Sequence, residues 1–229
     1  MNPTTLRVAL DNAPEVTALC HAAVGERTGQ TLVLAHGAGA GQRHSFMVHF
    51  ARGLSDRGLE VVTFDFPYMA QGRRVPDRRD RLEACYRAVV EAVRARGAIG
   101  PRGLFVGGKS MGGRIATYVA AAMREADRRL LGGVVLLGYP LHPPGKPDRL
   151  RAAHLGDVGV PMLFVQGSRD SFGTPDELRA QLAGVEGVEI LPVDGGDHSF
   201  KVPKRSGRTA SEIHAELQDA IAAWTRRRR

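Results

Sequence analysis

Short apolar runs alternate with longer amphipathic ones along most of the chain, and the alternation predicts strands and helices in turn. Leu6-Arg7-Val8-Ala9-Leu10 and Val16-Thr17-Ala18-Leu19-Cys20-His21-Ala22, separated by the turn-forming group Asp11-Asn12-Ala13-Pro14, read as an antiparallel pair at a sheet edge. Residues 31–35, 134–137 and 162–166 are apolar runs of the kind carried by a strand buried on both faces, and residues 59–65, 104–106 and 188–193 read as further strands. Phe46, Phe50 and Leu54 recur at helical spacing before Gly58, and Leu82, Cys85, Val89 and Val93 do so before Gly97. A third helical run covers 114–123. Thr174-Pro175-Asp176-Glu177 and Thr209-Ala210-Ser211-Glu212 each put a capping residue three positions ahead of an acid, so each opens a helix, the second continuing through Trp224. Pro and Gly make 66–77 and 138–147 loops, and the stretch 138–161 leaves room for a short helix but not for a sizeable inserted lid. The sum is a β pair followed by successive βα units. This is the pattern of an α/β protein with a mostly parallel, doubly wound sheet, an antiparallel N-terminal edge and no large cap, in a single domain over 1–229.

Composition narrows the classes. With 43% hydrophobic and 24% charged residues over 229 positions, the chain can bury one substantial core. No apolar run is long enough to span a bilayer, and Met1-Asn2-Pro3-Thr4-Thr5 lacks a basic stretch followed by an apolar one, so a cytoplasmic location is expected. Cys20 and Cys85 stand alone in apolar surroundings and read as reduced core residues. A net charge of +8 raises the question of an anionic partner such as nucleic acid. The arginines are scattered, however, and concentrated only at Arg226 to Arg229, with no aromatic stacking set beside them, which argues against nucleic-acid binding. His44 and His49 are five apart and do not share a helical face, so no metal pair is expected, and no cofactor is called for. Oligomeric state is left open.

The chemistry gathers around Gly107-Gly108-Lys109-Ser110-Met111-Gly112-Gly113, where a serine sits in G-x-S-x-G between a strand and a helix. A serine presented at the tip of such a turn needs strained backbone angles, and glycine at 108 and 112 removes the collisions that side chains would cause. The same letters, read from Gly103 to Ser110, satisfy the phosphate-loop pattern G-x-x-x-x-G-K-S. That reading needs a loop where Leu104, Phe105 and Val106 supply strand, and the run at 134–137 ends in Gly138 instead of a magnesium-binding Asp. The loop His36-Gly37-Ala38-Gly39-Ala40-Gly41 follows the first buried strand but fails the dinucleotide spacing, and it sits where serine hydrolases of the α/β class place one oxyanion amide. Ala38 is the candidate, Gly39 the reserve, and Met111 supplies the second amide. The required order of Ser, then acid, then His is met by Ser110, by Asp170 after the strand ending at Gln166, and by His198 after the last strand. Asp194 and Asp197 are the alternative acids, although Asp197 is poorly placed to bond the adjacent imidazole.

These segments, together with Phe66-Pro67-Tyr68-Met69, the Gly138-Tyr139-Pro140 loop, Gly195-Gly196-Asp197-His198 and Arg205-Ser206-Gly207-Arg208-Thr209, make the chain similar to an α/β-hydrolase-like family. That family is related to testis-expressed protein thirty and subunit three of the NSL complex, and more distantly to the dienelactone hydrolases. The resemblance runs from about Thr31 onward and implies the α/β-hydrolase fold, with Ser110 as nucleophile, Asp170 as acid and His198 as base. It departs from the dienelactone hydrolases at the nucleophile, serine in place of cysteine. The expectation is a serine hydrolase of small acyl substrates, whether esters, thioesters or lactones; the alternative is a non-catalytic binding or scaffold protein on the same fold. Candidate substrate contacts are Tyr68, Arg73, Lys109, His142 and Lys146, and with Arg74, Arg169 and Lys201 the basic ones would attract an anionic acyl compound.

Overall fold

A computed structural model describes residues 2–228 except 12, 98 and 101; Asn12 of the expected turn and Arg229 of the basic tail lie outside the described residues. The chain opens with β1 (Thr4–Leu10) and β2 (Ala13–His21), paired antiparallel as their alternation predicts. Then follow β3 (Thr31–Ala35), α1 (Ser45–Ser55), β4 (Glu60–Phe64), α2 (Pro67–Ala70) and α3 (Arg79–Ala95). The middle of the chain runs β5 (Leu104–Lys109), α4 (Met111–Ala121), α5 (Glu125–Arg128) and β6 (Leu131–Leu137). It closes with β7 (Met162–Gly167), α6 (Pro175–Gln181), β8 (Val188–Val193) and α7 (Ala210–Arg226). The strands form one sheet in the order β1-β2-β4-β3-β5-β6-β7-β8, parallel from β4 to β8.

Each face of that sheet is covered. Leu82, Cys85, Tyr86, Val89 and Val93 of α3 pack with Ile115, Ala116 and Val119 of α4 on one side. Met47, Phe50 and Leu54 of α1 pack with Ile213, Leu217, Ile221 and Trp224 of α7 on the other. Covering both faces is what buries β3, β5, β6 and β7 along their whole length, and it suits their mostly apolar runs. Tyr86 also stitches the centre: its hydroxyl lies 2.7 Å from Val33 O and accepts the Gly107 N–H at 2.8 Å.

Two helices escape the sequence pattern. Residues 66–77 hold one helical turn, α2, because Pro67 at its first position is already set for helical φ after an extended Phe66. The four-residue α5 buries nothing and so has no apolar period to detect. Both capping boxes form, Thr174 with Glu177 and Thr209 with Glu212. The 138–161 connection contains only a three-residue helical turn, Leu155–Asp157, and no lid. Among the described residues no helix is long and apolar enough to cross a membrane. Cys20 and Cys85 are buried and unpaired; burial raises both thiols, Cys85 to about 12.

Candidate active site

Strand β5 ends at Lys109 and α4 begins at Met111, which leaves Ser110 alone to reverse the chain. It does so at φ 52°, ψ −116°, a region that costs a side-chain-bearing residue on the order of 1–3 kcal/mol. The glycines are needed for contact: a Cβ on Gly108 would lie 2.6 Å from Ala35 O, and one on Gly112 would also strike the carbonyls of Ala35 and His36. Helix and strand therefore cross at backbone distance, and the serine is held on the outside of the turn. The phosphate-loop reading loses its loop, since Leu104 to Lys109 is strand.

His198 Nε2 lies 2.9 Å from Ser110 Oγ and its Nδ1 lies 2.7 Å from Asp170 Oδ2. With Nδ1 donating to the Asp170 carboxylate, the Nε2 lone pair is left to accept the serine O–H. Asp170 is buried at 3% exposure and is itself held: Oδ2 accepts from Gln166 Nε2 at 3.0 Å and Oδ1 from the Phe172 N–H at 2.9 Å. Gln166, fully buried, also donates to Gly173 O and accepts the Tyr139 N–H, so one side chain ties the acid's loop to the loop after β6. The Phe172 ring packs on the imidazole at 4.4 Å. Asp197 is turned away, accepting the amides of Ser199 and Lys201.

The loop after β3 approaches the serine closely, a Cβ on Gly37 lying 3.6 Å from Ser110 Cβ. His36 is buried beneath it: Nδ1 donates to Gly37 O at 2.8 Å and Nε2 accepts the Phe66 N–H at 3.1 Å, and burial lowers its basicity, which keeps it neutral. Tyr68 donates its hydroxyl to Ala38 O at 3.0 Å. Ala38 and Met111 have no protein acceptor for their amides among the described residues. Met111 follows Ser110 directly, and Ala38 follows Gly37, the residue that approaches the serine.

The expected substrate contacts fare differently. Tyr68 is fully buried, burial pushing its phenol up to about 12, and it holds the Ala38 loop instead of facing solvent. Lys109 is also buried; its ammonium turns back from the cleft to donate to His198 O at 2.6 Å. Burial lowers it to about 8. Arg73 is exposed and paired with Asp77 at 2.7 Å. His142 is buried, with Nδ1 2.9 Å from Pro143 O and Nε2 3.3 Å from Glu177 Oε1. Lys146 is exposed on its turn. No local sequence signal marks Gln166, His36 or Phe172, because their roles come from neighbours distant in sequence. No cluster of three metal-ligating side chains occurs among the described residues.

The whole outline recurs in solved structures. An α/β serine hydrolase homologue from Coxiella burnetii superposes with a TM-score of 0.74 at 16% identity, over 97% of each chain. An α/β serine hydrolase without lid from Xanthomonas campestris gives 0.71 at 20% identity, over 99% of this chain and 95% of that one. A dienelactone hydrolase from Anabaena variabilis gives 0.71 at 16%, over 98% and 97%. At these identities the likeness is one of fold. Residues 28–226 match the alpha/beta hydrolase domain family, and the chain belongs to it.

Proposed function

We propose that the protein is a serine hydrolase that cleaves an ester-type bond in a small acyl substrate, an ester, thioester or lactone. The observation that carries this reading is the continuous hydrogen-bonded series from Ser110 Oγ through His198 to Asp170. Ser110 Oγ attacks the carbonyl carbon as its proton passes to His198 Nε2. The Ala38 and Met111 amides receive the oxyanion, and the buried Asp170 carboxylate stabilises the imidazolium. Collapse of the tetrahedral adduct expels the alcohol or thiol, which takes the proton back from His198. A water deprotonated by the same nitrogen then releases the acid. With no lid in the 138–161 connection, the serine stays open to solvent, which suits a small substrate.

The same reading includes a single catalytic domain over the chain, supported by one uninterrupted sheet, and a cytoplasmic location, supported by two buried thiols left unpaired. The narrower kinship with the testis-expressed protein thirty and NSL subunit three group rests on the sequence motifs around Tyr139 and Arg205 to Thr209. Labelling with a fluorophosphonate probe tests the function. Wild type should be labelled and Ser110→Ala should not; absence of label on folded wild type would favour a non-catalytic binding protein on this fold.

A further inference from the structure

Ser110, Asp170 and His198 all stand at the end where the parallel strands finish. At the opposite edge of the sheet, where β5, β6 and β7 begin, the structure holds a cleft of about 590 Å³. Arg102 stands ahead of β5, Leu131 and Gly132 open β6, and Gly159, Val160 and Pro161 lead into β7. Helix α5 contributes Glu125 and Arg128, Arg129 follows it, and Arg227 and Arg228 come in just past the end of α7. The six residues of β5, at about 3.3 Å each, put this cleft about 20 Å from the serine.

Five arginines thus line one cleft, and among the described residues two carboxylates answer them, each shared. Glu125 is held loosely, its oxygens 3.9 Å from Arg128 Nη1 and 3.8 Å from Arg129 Nε. Glu189, just outside the lining, is shared by Arg227 at 3.1 Å and by Arg228. Arg102 has no carboxylate within 4 Å among the described residues. Its backbone is strained at φ 55° and packs on the start of β6, where a Cβ on Gly132 would lie 2.4 Å from its carbonyl oxygen. Arg128 is fixed by uncharged groups: Nη2 donates to Ala121 O at 3.2 Å and Met123 O at 3.1 Å, and a Cβ on Gly159 would lie 2.7 Å from Nη1. Arg228 lies over the Trp224 ring at 5.1 Å. The Nε of Arg128 and that of Arg228 are both buried with no hydrogen-bond partner among the described residues.

Like charges gathered around one space repel, and an anion entering it relieves them. The guanidinium fork matches phosphoryl oxygens two at a time. Five positive charges against two negative ones leave an excess that a diphosphate or triphosphate group meets and a single carboxylate does not. The volume falls in the range of small-molecule sites, roughly 300–1,000 Å³, and Leu131, Val160 and Pro161 offer apolar carbon beside the arginines for an organic remainder. We propose that this cleft binds a small molecule bearing a diphosphate or triphosphate group, at a site separate from the serine and independent of the hydrolase reading.

Inorganic tripolyphosphate and adenosine triphosphate present the same phosphoryl chain without and with an organic remainder. Titration calorimetry of the full chain in metal-free buffer should show one molecule of either bound per chain, more weakly as salt is raised. Adenosine triphosphate bound the more tightly would assign an organic ligand, and tripolyphosphate the more tightly an inorganic one; either supports the site. Arg128→Gln and Arg228→Gln should each weaken binding about 10-fold, and the exposed Arg102→Gln and Arg129→Gln about 3-fold. Glu125→Gln, which removes a lining carboxylate, should tighten it about 3-fold. Arg43→Gln and Arg74→Gln, exposed elsewhere, should change nothing, and Ser110→Ala should bind like wild type. Melting temperatures of the free variants check that each is folded. No binding of either probe, equal losses in the Arg43 and Arg74 variants, or a short single-stranded RNA bound in preference to both probes would overturn the proposal.

Discussion

Replacing Lys109 by methionine separates stability from catalysis in a way the local geometry specifies. Lys109 is 8% exposed, and its ammonium donates to His198 O at 2.6 Å and lies 5.7 and 6.0 Å from the Phe46 and Phe200 rings. Burial holds it at about 8 instead of 10.5, with the charges of Asp170 and Asp197 offsetting part of the effect. That gap amounts to about 3 kcal/mol against keeping the charged form in the fold. Lys109→Met removes the penalty but leaves the His198 carbonyl without its donor, a loss of about 1–3 kcal/mol. At neutral pH the two nearly cancel, so the variant should stay within about 2 kcal/mol of wild type. The pH dependence does not cancel. Unfolded, Lys109 keeps its proton until about 10.5, whereas folded it releases it near 8. Between those values the unfolded state binds more protons, so wild-type stability rises with pH by about 1.4 kcal/mol per unit; below them both states are protonated and the contribution is flat. The variant lacks this rise. Urea denaturation followed by the fluorescence of the buried Trp224, at steps from neutral to about pH 10.5, should show the wild-type advantage growing by about 3 kcal/mol. Titrations common to both chains drop out of the difference. Parallel stability curves would refute a buried cation at this position. With the His198 main chain released, kcat should fall about 10-fold even where stability is matched.

Other substitutions probe the supports of the site one at a time. Tyr68→Phe removes only the hydroxyl that holds Ala38 O, so kcat for an activated ester should fall about 5-fold with KM little changed; a rise in KM alone would mean the phenol contacts substrate. Gln166→Leu strands the Tyr139 amide and strips a donor from Asp170, and should cost about 2–3 kcal/mol in denaturant unfolding together with activity; unchanged stability would show that the bracket carries no energy.

Much of the architecture is legible in local pattern. Apolar runs at 31–35, 104–106, 134–137 and 162–166, short and bounded by turn residues, read as strands covered on both faces, and the capping boxes at Thr174 and Thr209 mark helix starts because two amides and two side chains satisfy one another there without help from the rest of the fold. Ser110, Asp170 and His198 could be picked out because each follows directly on an apolar run, and strand ends of a parallel sheet converge on one edge. The four residues of α5 and the single turn α2 were not legible, since neither is long enough to show a period.

What a side chain does once it arrives was beyond the sequence. Gly103 to Gly112 carries two overlapping motifs, G-x-x-x-x-G-K-S through Ser110 and G-x-S-x-G from Gly108, and only the strand position of β5 between β3 and β6 separates them. Lys109 and Tyr68 looked like substrate contacts because they adjoin the right segments, yet one points back to His198 O and the other to Ala38 O. Gln166 joins residues from different strand-helix units, and nothing in its own neighbourhood announces it. Period and capping are properties of a few consecutive residues, so the sequence determines them alone. Direction, burial and the presence of a counter-ion depend on which strands become neighbours, and the β2-β4-β3-β5 order is settled only when the whole sheet assembles.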